Sequence, residues 1–148
     1  DGEPLPPVPD WKSPEKNAEL NERLIRFAES RGISVTFKEL PGETQGVSKG
    51  GAIEISPNAG TKTLIHEIAH EFMHQSKIFI ESRERKEIEA EAVAYIVASY
   101  FGINRLRCSN YLALFGAEKH ELLLSLQRIQ MTVTVLINGI DGGFCEVV

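Results

Sequence analysis

Two histidines and a glutamate stand at metal-binding spacing in this sequence: His66, Glu67 and His70, in the order His-Glu-x-x-His. Residues four positions apart lie one above the other on the same face of a helix, so both imidazoles can reach a single ion. Glu67 projects beside them, where its carboxylate can take a proton from a water molecule bound to that ion. Two imidazole ligands, an open water position and a carboxylate base predict the site of a zinc hydrolase.

A carboxylate is a common third protein ligand of a hydrolytic zinc ion. Glu87 and Glu91 follow the motif and lie one turn apart on the same face of a predicted helix. One of the two can bind the ion while the other accepts the second N–H of a ligand imidazole and thereby fixes its tautomer. The helix becomes apolar just where Glu91 stands, and an unpaired carboxylate there would be costly. The spacing therefore predicts that both acids belong to the site, without deciding which one is the ligand.

His74 continues the four-residue spacing of the two ligand histidines. It stands two turns, about 12 Å, along the helix axis from His66, so an ion held between His66 and His70 cannot also reach it. We therefore expect His74 to lie at the helix end or to support a ligand. Hydrolysis also requires a donor to the oxyanion besides the metal, and the candidates, among which the sequence does not choose, are Tyr95, Tyr111 and His120.

Periodicity and capping residues predict the elements that position the motif. Ser13 is expected to cap a first helix that ends at Gly32, and alternating apolar residues predict a strand over residues 33–37. The helix that carries the motif is expected to begin near Asn58 or Thr61, either of which can cap it.

A second short strand is predicted over residues 52–56. Because Gly50-Gly51 precedes it and the chain offers so little sheet, we expect it to be an edge strand. An extended peptide can add to such an edge. The candidate substrate-binding positions are therefore Ile53, Glu54 and Ile55.

Two further helices are predicted after the motif. The first spans residues 83–101, ends at Gly102 and is apolar in its second half, so that half is expected to be buried. The closing helix is predicted from residue 117 to about residue 137, where Asn138-Gly139 is expected to end it. Its predicted inward face consists of Leu122, Leu126, Ile129, Val133 and Leu136. The elements together predict an α+β fold, with a small antiparallel sheet whose edge strand lies beside a helical bundle that carries the site.

Composition and charge exclude several classes of function. The chain has 148 residues, 42% hydrophobic and 25% charged, which suits one domain with a real core. Its formal net charge of −5 disfavours a nucleic-acid-binding surface, and no apolar run is long enough to cross a membrane. The prolines of residues 1–12 predict a linker or arm, which leaves residues 13–148 as the domain. Cys108 and Cys145 are too few for a disulfide framework, so we expect a cytoplasmic protein.

A group of basic residues could in principle contact DNA: Arg83, Arg85 and Lys86, with Arg105 and Arg107. In a chain with an acidic balance, a solvated basic patch is the stronger interpretation. We therefore expect a protein or peptide substrate and no nucleic acid.

The motif and the acids that follow it resemble a known family. The segment from His66 to His70, followed by Glu87-x-x-Ala90-Glu91-x-x-Ala94-Tyr95, resembles the ImmA/IrrE family of zinc metallopeptidases, and above all the metallopeptidase domain of ArdC-like antirestriction proteins from plasmids and phages. Further similarity lies in Gly32-Ile33 and in Asn110-Tyr111-Leu112. The resemblance extends over nearly the whole chain, and its specific part is the two ligand motifs.

This resemblance implies a zincin-like fold of the gluzincin type with one zinc ion. It implies that Glu67 is the base, that Glu87 is the third ligand and that Glu91 supports a ligand histidine. Residues 2–6 resemble the junction at which an N-terminal domain that binds single-stranded DNA gives way to the metallopeptidase domain. Any nucleic-acid binding would then belong to that other domain.

Two classes of function are compatible with these features. The first is a zinc-dependent metallopeptidase that cleaves a protein substrate, with a setting in mobile-element defence or antirestriction implied by the resemblance. The second is a zincin scaffold that acts without hydrolysis, as an antirestriction or regulatory binding module with a structural metal. The presence of Glu67 favours the enzyme, because a structural metal site has no use for a base.

Overall fold

The computed structural model describes residues 16–75, 82–103 and 119–141. These residues form four helices and one small sheet, so the expected α+β class is confirmed. In chain order the elements are α1 (Ala18–Ser30), β1 (Ser34–Phe37), β2 (Gly46–Ser48), β3 (Ala52–Ile55), α2 (Thr61–Met73), α3 (Arg83–Tyr100) and α4 (Lys119–Asp141). The predicted arm over residues 1–12, Tyr111 and both cysteines lie outside the described residues.

The sheet differs from the expected one in two ways. Its strand order is β1-β3-β2, with β1 parallel and β2 antiparallel to β3, so the sheet is mixed rather than purely antiparallel. The strand that contains Ile53, Glu54 and Ile55 is therefore central, and the expectation that it forms an edge was wrong. The reason is a strand within the glycine-rich loop, Gly46–Ser48, which pairs with one side of β3 while β1 pairs with the other.

Ser13 was wrongly predicted to cap α1. The helix begins at Ala18 because the Asn17 side chain caps it by accepting a hydrogen bond from the Leu20 amide at 2.9 Å. The cap of α2 was also predicted wrongly. Gly60 occupies the N-cap position, and no side chain caps the helix. Thr61 is instead the first helical residue and is fully buried; its hydroxyl accepts from the Asn17 amide at 2.9 Å and donates to Asn21 at 2.6 Å. The start of the motif helix is thereby tied to α1.

The helix α2 occupies the centre of the fold and packs against α1, α3, α4 and the strands β2 and β3. Its inward face is almost completely removed from solvent and consists of Leu64, Ile65, Ile68 and Ala69. The helix α3 carries small buried residues, including Ala90, Val93 and Val97. As predicted, α3 begins at Arg83 and gives way to Gly102, whose φ of 82° suits glycine. The motif is thus carried by a helix held on several sides.

The closing helix α4 is longer and rotated relative to the prediction. It continues through Asn138-Gly139 to Asp141. Ile129 and Leu136 are buried as expected, but Leu126 is 43% exposed. The buried face also includes two polar residues, Ser125 and Thr132. A pattern of apolar positions alone does not predict that these two side chains are buried. The side chain of Leu122 lies outside the described residues.

Gly139 lies within α4, before its last residue, and the ring of Phe27 of α1 packs closely against it. A β-carbon at this position would stand 2.1 Å from Cε1 of Phe27. We expect Gly139→Ala to destabilise the protein by about 1–2 kcal/mol, since overpacking of about 1–3 kcal/mol exceeds the roughly 0.5–1 kcal/mol that alanine gains over glycine in a helix. Chemical denaturation measures the change, with the exposed neighbour Asn138→Ala as control. An increase in stability for Gly139→Ala would contradict this packing.

Candidate metal centre

Three side chains of the predicted site converge on one point between α2 and α3. Each of His66, His70 and Glu87 offers a ligand atom, and these atoms lie within 4.8 Å of one another. The two oxygens of Glu87 lie 3.2 Å from Nε2 of His66 and 3.0 Å from Nε2 of His70. Ligands of a tetrahedral zinc ion, each about 2.0–2.1 Å from the metal, are roughly 3.3 Å apart. The nitrogen and oxygen donors are therefore close enough to share one metal ion, and they are of the kinds that zinc binds.

The other ring nitrogen of His66 also contacts a carboxylate. Nδ1 lies 3.1 Å from a carboxylate oxygen of Glu91, whose second oxygen forms an ion pair with Lys62. Burial alone would raise the pKa of Glu91, but the contacts with His66 and Lys62 outweigh it and lower the pKa. The two acids thus divide the roles left open by spacing: Glu87 faces both Nε2 atoms, and Glu91 supports His66 from behind.

The other ring nitrogen of His70 faces a third histidine. Nδ1 of His70 lies 2.9 Å from Nδ1 of His74, and Nε2 of His74 lies 2.9 Å from Oε1 of Glu89. His74 ends α2 as its C-cap residue, and its side chain is only 4% exposed. His74 therefore lies at the helix end, as expected, and contacts His70.

Glu89 is fully buried, and the sequence analysis did not single it out. Besides His74, it accepts hydrogen bonds from Ser125 Oγ at 2.5 Å and from Arg128 Nη2 at 2.6 Å, both on α4. Burial raises the pKa of Glu89, but these donors outweigh that effect and lower the pKa to about 2. One signal could have revealed it: Glu89 lies on the same helical stripe as the buried Val93 and Val97, where an acid requires partners.

Glu67, the predicted base, is 8% exposed and faces the edge strand β2. Desolvation raises the pKa of its carboxyl group. Within the described residues no hydrogen bond to this carboxylate is present, although its neighbours His66 and His70 carry ring nitrogens nearby. A β-carbon on Gly46 would stand 2.9 Å from Cγ of Glu67, so only glycine lets the strand pass this closely. Glu67 is thus held in a dry position beside the ligand histidines.

Glu71, the residue after the motif, fixes β2 beside the site and was also missed by the sequence analysis. Its carboxylate accepts hydrogen bonds from the amides of Gly50 and Gly51, at 2.9 and 2.7 Å, and from the Ser48 hydroxyl. Both glycines have positive φ, at 84° and 89°, which turns their amides toward the acid. The hairpin of β2 and β3 is therefore tied to the same helix that carries the histidines.

The remaining candidates are only partly accounted for. Tyr95 lies on α3, two turns or about 12 Å beyond Glu87, on the face that carries both acids. Tyr111 lies outside the described residues, as does the side chain of His120. Among the basic residues, Arg85 turns inward and donates to Ser125 Oγ at 3.0 Å, which does not suit a contact with DNA. Arg105 and Arg107 lie outside the described residues.

Without a metal, the contacts of His66 with Glu87 and Glu91 favour the charged forms of all three groups. Burial of the His66 ring lowers its pKa, but the hydrogen bonds to Glu87 and Glu91 outweigh it and raise the pKa to about 9. The bonds from His66 and His70 hold the pKa of Glu87 far below its usual range. Because the raised pKa belongs to the folded state, His66 stabilises the metal-free protein below about pH 6.5, and this contribution is lost as the pH rises through about 9.

Zinc must displace the proton of His66, since a metal ligand has to be deprotonated. At pH 7.5 we expect zinc binding to release about one proton from this ring, whereas an imidazole with an ordinary pKa of about 6.5 would release roughly 0.1. Calorimetry in buffers of different ionisation enthalpy measures the number. Release close to 0.1 would show that His66 is neutral in the metal-free protein and that the acids do not hold its proton.

Comparisons of the chain with models of protein families, with curated proteins and with solved structures found no match. No helix in the described parts of the chain combines the length and the apolar character that a membrane span requires. The chemistry of the site therefore has to carry the functional conclusion.

Proposed function

We propose that this protein is a zinc-dependent metallopeptidase of the gluzincin type, with a zincin-like fold. The observation that carries the proposal is the position of the Glu87 carboxylate between the Nε2 atoms of His66 and His70, with Glu67 on the same helix as the histidines. The carboxylate of Glu67 is largely buried and accepts no hydrogen bond within the described residues. This favours catalysis over a structural metal, because a structural site is closed by protein ligands and needs no base.

His66, His70 and Glu87 would hold the ion. When bound, zinc supplies a Lewis acid that polarises a carbonyl oxygen and acidifies water. Glu67 takes a proton from the water molecule that attacks the peptide carbonyl carbon, and it then passes this proton to the nitrogen of the leaving amine. Its desolvated position, which raises its pKa, suits a group that has to hold a proton between these two steps.

The substrate peptide would bind in extended form along β2 rather than along Ile53–Ile55, which lie in the central strand. One side of β2 pairs with β3, and in the described part of the chain no strand pairs with its other side. β2 also contacts α2, and Gly46 adjoins Glu67. Backbone hydrogen bonds to Gly46–Ser48 would align a peptide with the site irrespective of much of its sequence.

The proposal is tested with a library of peptides of mixed sequence, analysed by mass spectrometry. Protein loaded with one zinc ion is expected to cleave a subset of the peptides, and protein treated with a chelator is expected to cleave none until zinc is restored. Cleavage that persists unchanged after metal removal would come from another activity. If the zinc-loaded protein cleaves no peptide and no unfolded protein, the peptidase assignment is wrong.

A further inference from the structure

The support of His70 extends beyond the metal site into the contact between α3 and α4. His70 faces His74, His74 faces Glu89, and Glu89 is held by Ser125 and Arg128 of α4. His66 has a shorter arrangement of the same kind, in which Glu91 is paired with Lys62. In both cases a carboxylate paired with a cation stands behind a ligand imidazole, but for His70 a second imidazole lies between them.

The donors around Glu89 determine which ring nitrogens carry protons. Arg128 donates to Glu89 through Nε at 3.3 Å and Nη2 at 2.6 Å, and Ser125 Oγ donates at 2.5 Å, so Glu89 acts as an acceptor throughout. Nε2 of His74 must then donate to it. In a neutral ring this leaves Nδ1 of His74 as an acceptor.

The same reasoning continues one residue further. Two nitrogens 2.9 Å apart need one proton between them, and since Nδ1 of His74 accepts, Nδ1 of His70 must donate. The proton of a neutral His70 is then on Nδ1, and Nε2, the atom that faces Glu87, keeps its lone pair for the ion.

We infer that Glu89 is a positioning residue of the zinc site, which acts through His74 to fix the metal-binding tautomer of His70. The inference rests on the proposed zinc site. It makes the packing of α4 part of the site, because Arg128 and Ser125 hold the carboxylate in place. Outer partners of this kind typically change metal affinity by about 10–100-fold.

Zinc affinity, measured by competition with a chromophoric chelator, tests the inference in a double-mutant cycle. Glu89→Gln and His74→Leu are each expected to raise the Kd for zinc by about 10–100-fold. The double variant is expected to bind about as weakly as His74→Leu alone, because Glu89 acts through His74. Gln127→Ala, at an exposed position of α4, is the control and is expected to retain the wild-type Kd.

Two results overturn the inference: a Kd for Glu89→Gln within about twofold of wild type, or losses that add in the double variant, which would mean that Glu89 does not act through His74. If Glu89→Gln does not fold, Arg128→Gln replaces it, since that side chain is 28% exposed and tolerates removal better. Its Kd is then expected to rise, and an unchanged value also overturns the inference. A wild-type protein that binds no zinc would overturn the proposed function itself.

A second measurement responds to the tautomer and not to stability. Long-range proton–nitrogen NMR spectra of zinc-loaded protein, labelled with nitrogen-15 in histidine, are expected to show His70 protonated at Nδ1 and His74 protonated at Nε2. A proton on Nδ1 of His74 would contradict the inferred order of donors even if the zinc affinities followed it.

Discussion

Replacing Glu67 with glutamine is expected to abolish peptide hydrolysis while zinc and the fold are retained. Removal of a general base typically lowers the rate by about a hundredfold to ten-thousandfold. Glu67 is not among the three side chains that converge on the metal position, and glutamine has nearly the same shape, so it fits the space beside Gly46. The measurements are the zinc content, the thermal midpoint in the presence of zinc and the rate of cleavage of a peptide found with the library.

The matched control is Glu84→Gln, which makes the same chemical change at an exposed position in the first turn of α3. It is expected to leave the cleavage rate unchanged. The same pair of variants also separates the two classes of function in the biological setting implied by the resemblance. If an antirestriction activity or another biological activity survives Glu67→Gln, peptidase chemistry is not its basis, and a binding scaffold becomes the better interpretation.

Loss of a ligand is expected to abolish stoichiometric zinc binding. His66→Ala and His70→Ala each remove one of three donors, and Glu87→Ala removes the carboxylate that faces both rings at 3.0–3.2 Å. Glu91→Ala leaves all three donors and removes only the support of His66, so its zinc affinity is expected to fall by about 10–100-fold. Metal analysis of the purified variants after dialysis against a weak chelator ranks them by the amount of zinc that each retains.

The comparison of the two acids is the sharper part of this experiment. Lys62 loses its partner in Glu91→Ala, so a Glu91→Gln variant, which keeps an acceptor near His66, serves as the control for lost charge. If Glu91→Ala loses zinc while Glu87→Ala retains it, the two acids have exchanged roles. Retention of stoichiometric zinc by both histidine variants would place the metal elsewhere.

Local patterns were sufficient to predict which side chains meet at the candidate metal centre. His66, Glu67 and His70 are constrained by helical geometry, which places residues four apart on one face whatever the rest of the chain does. Glu87 and Glu91 could be recognised as a pair for the same reason, and the end of α3 followed from the glycine after it. These features depend on neighbours within one or two turns, and such contacts can be read from one sequence.

The pairing of strands that lie far apart in the chain could not be predicted from such local patterns. The third strand, Gly46–Ser48, is short and lies in a polar, glycine-rich loop, so its sequence carries little signal of a strand. Its presence moved Ile53 and Ile55 from an expected edge to the centre of the sheet. The contact of Glu71 with the amides of Gly50 and Gly51 holds this hairpin, and nothing in the spacing of these residues predicts it.

The sequence by itself determined which side chains are candidates for a metal site and for a base, because these candidates are defined by residue types at fixed spacing within a helix. Only the tertiary structure decided that Glu87 faces both Nε2 atoms while Glu91 stands behind His66, and that His74 leads to a buried Glu89. These assignments depend on the distance and rotation between α2, α3 and α4. Packing of buried side chains from all three helices sets that geometry, and no segment of the chain contains it alone.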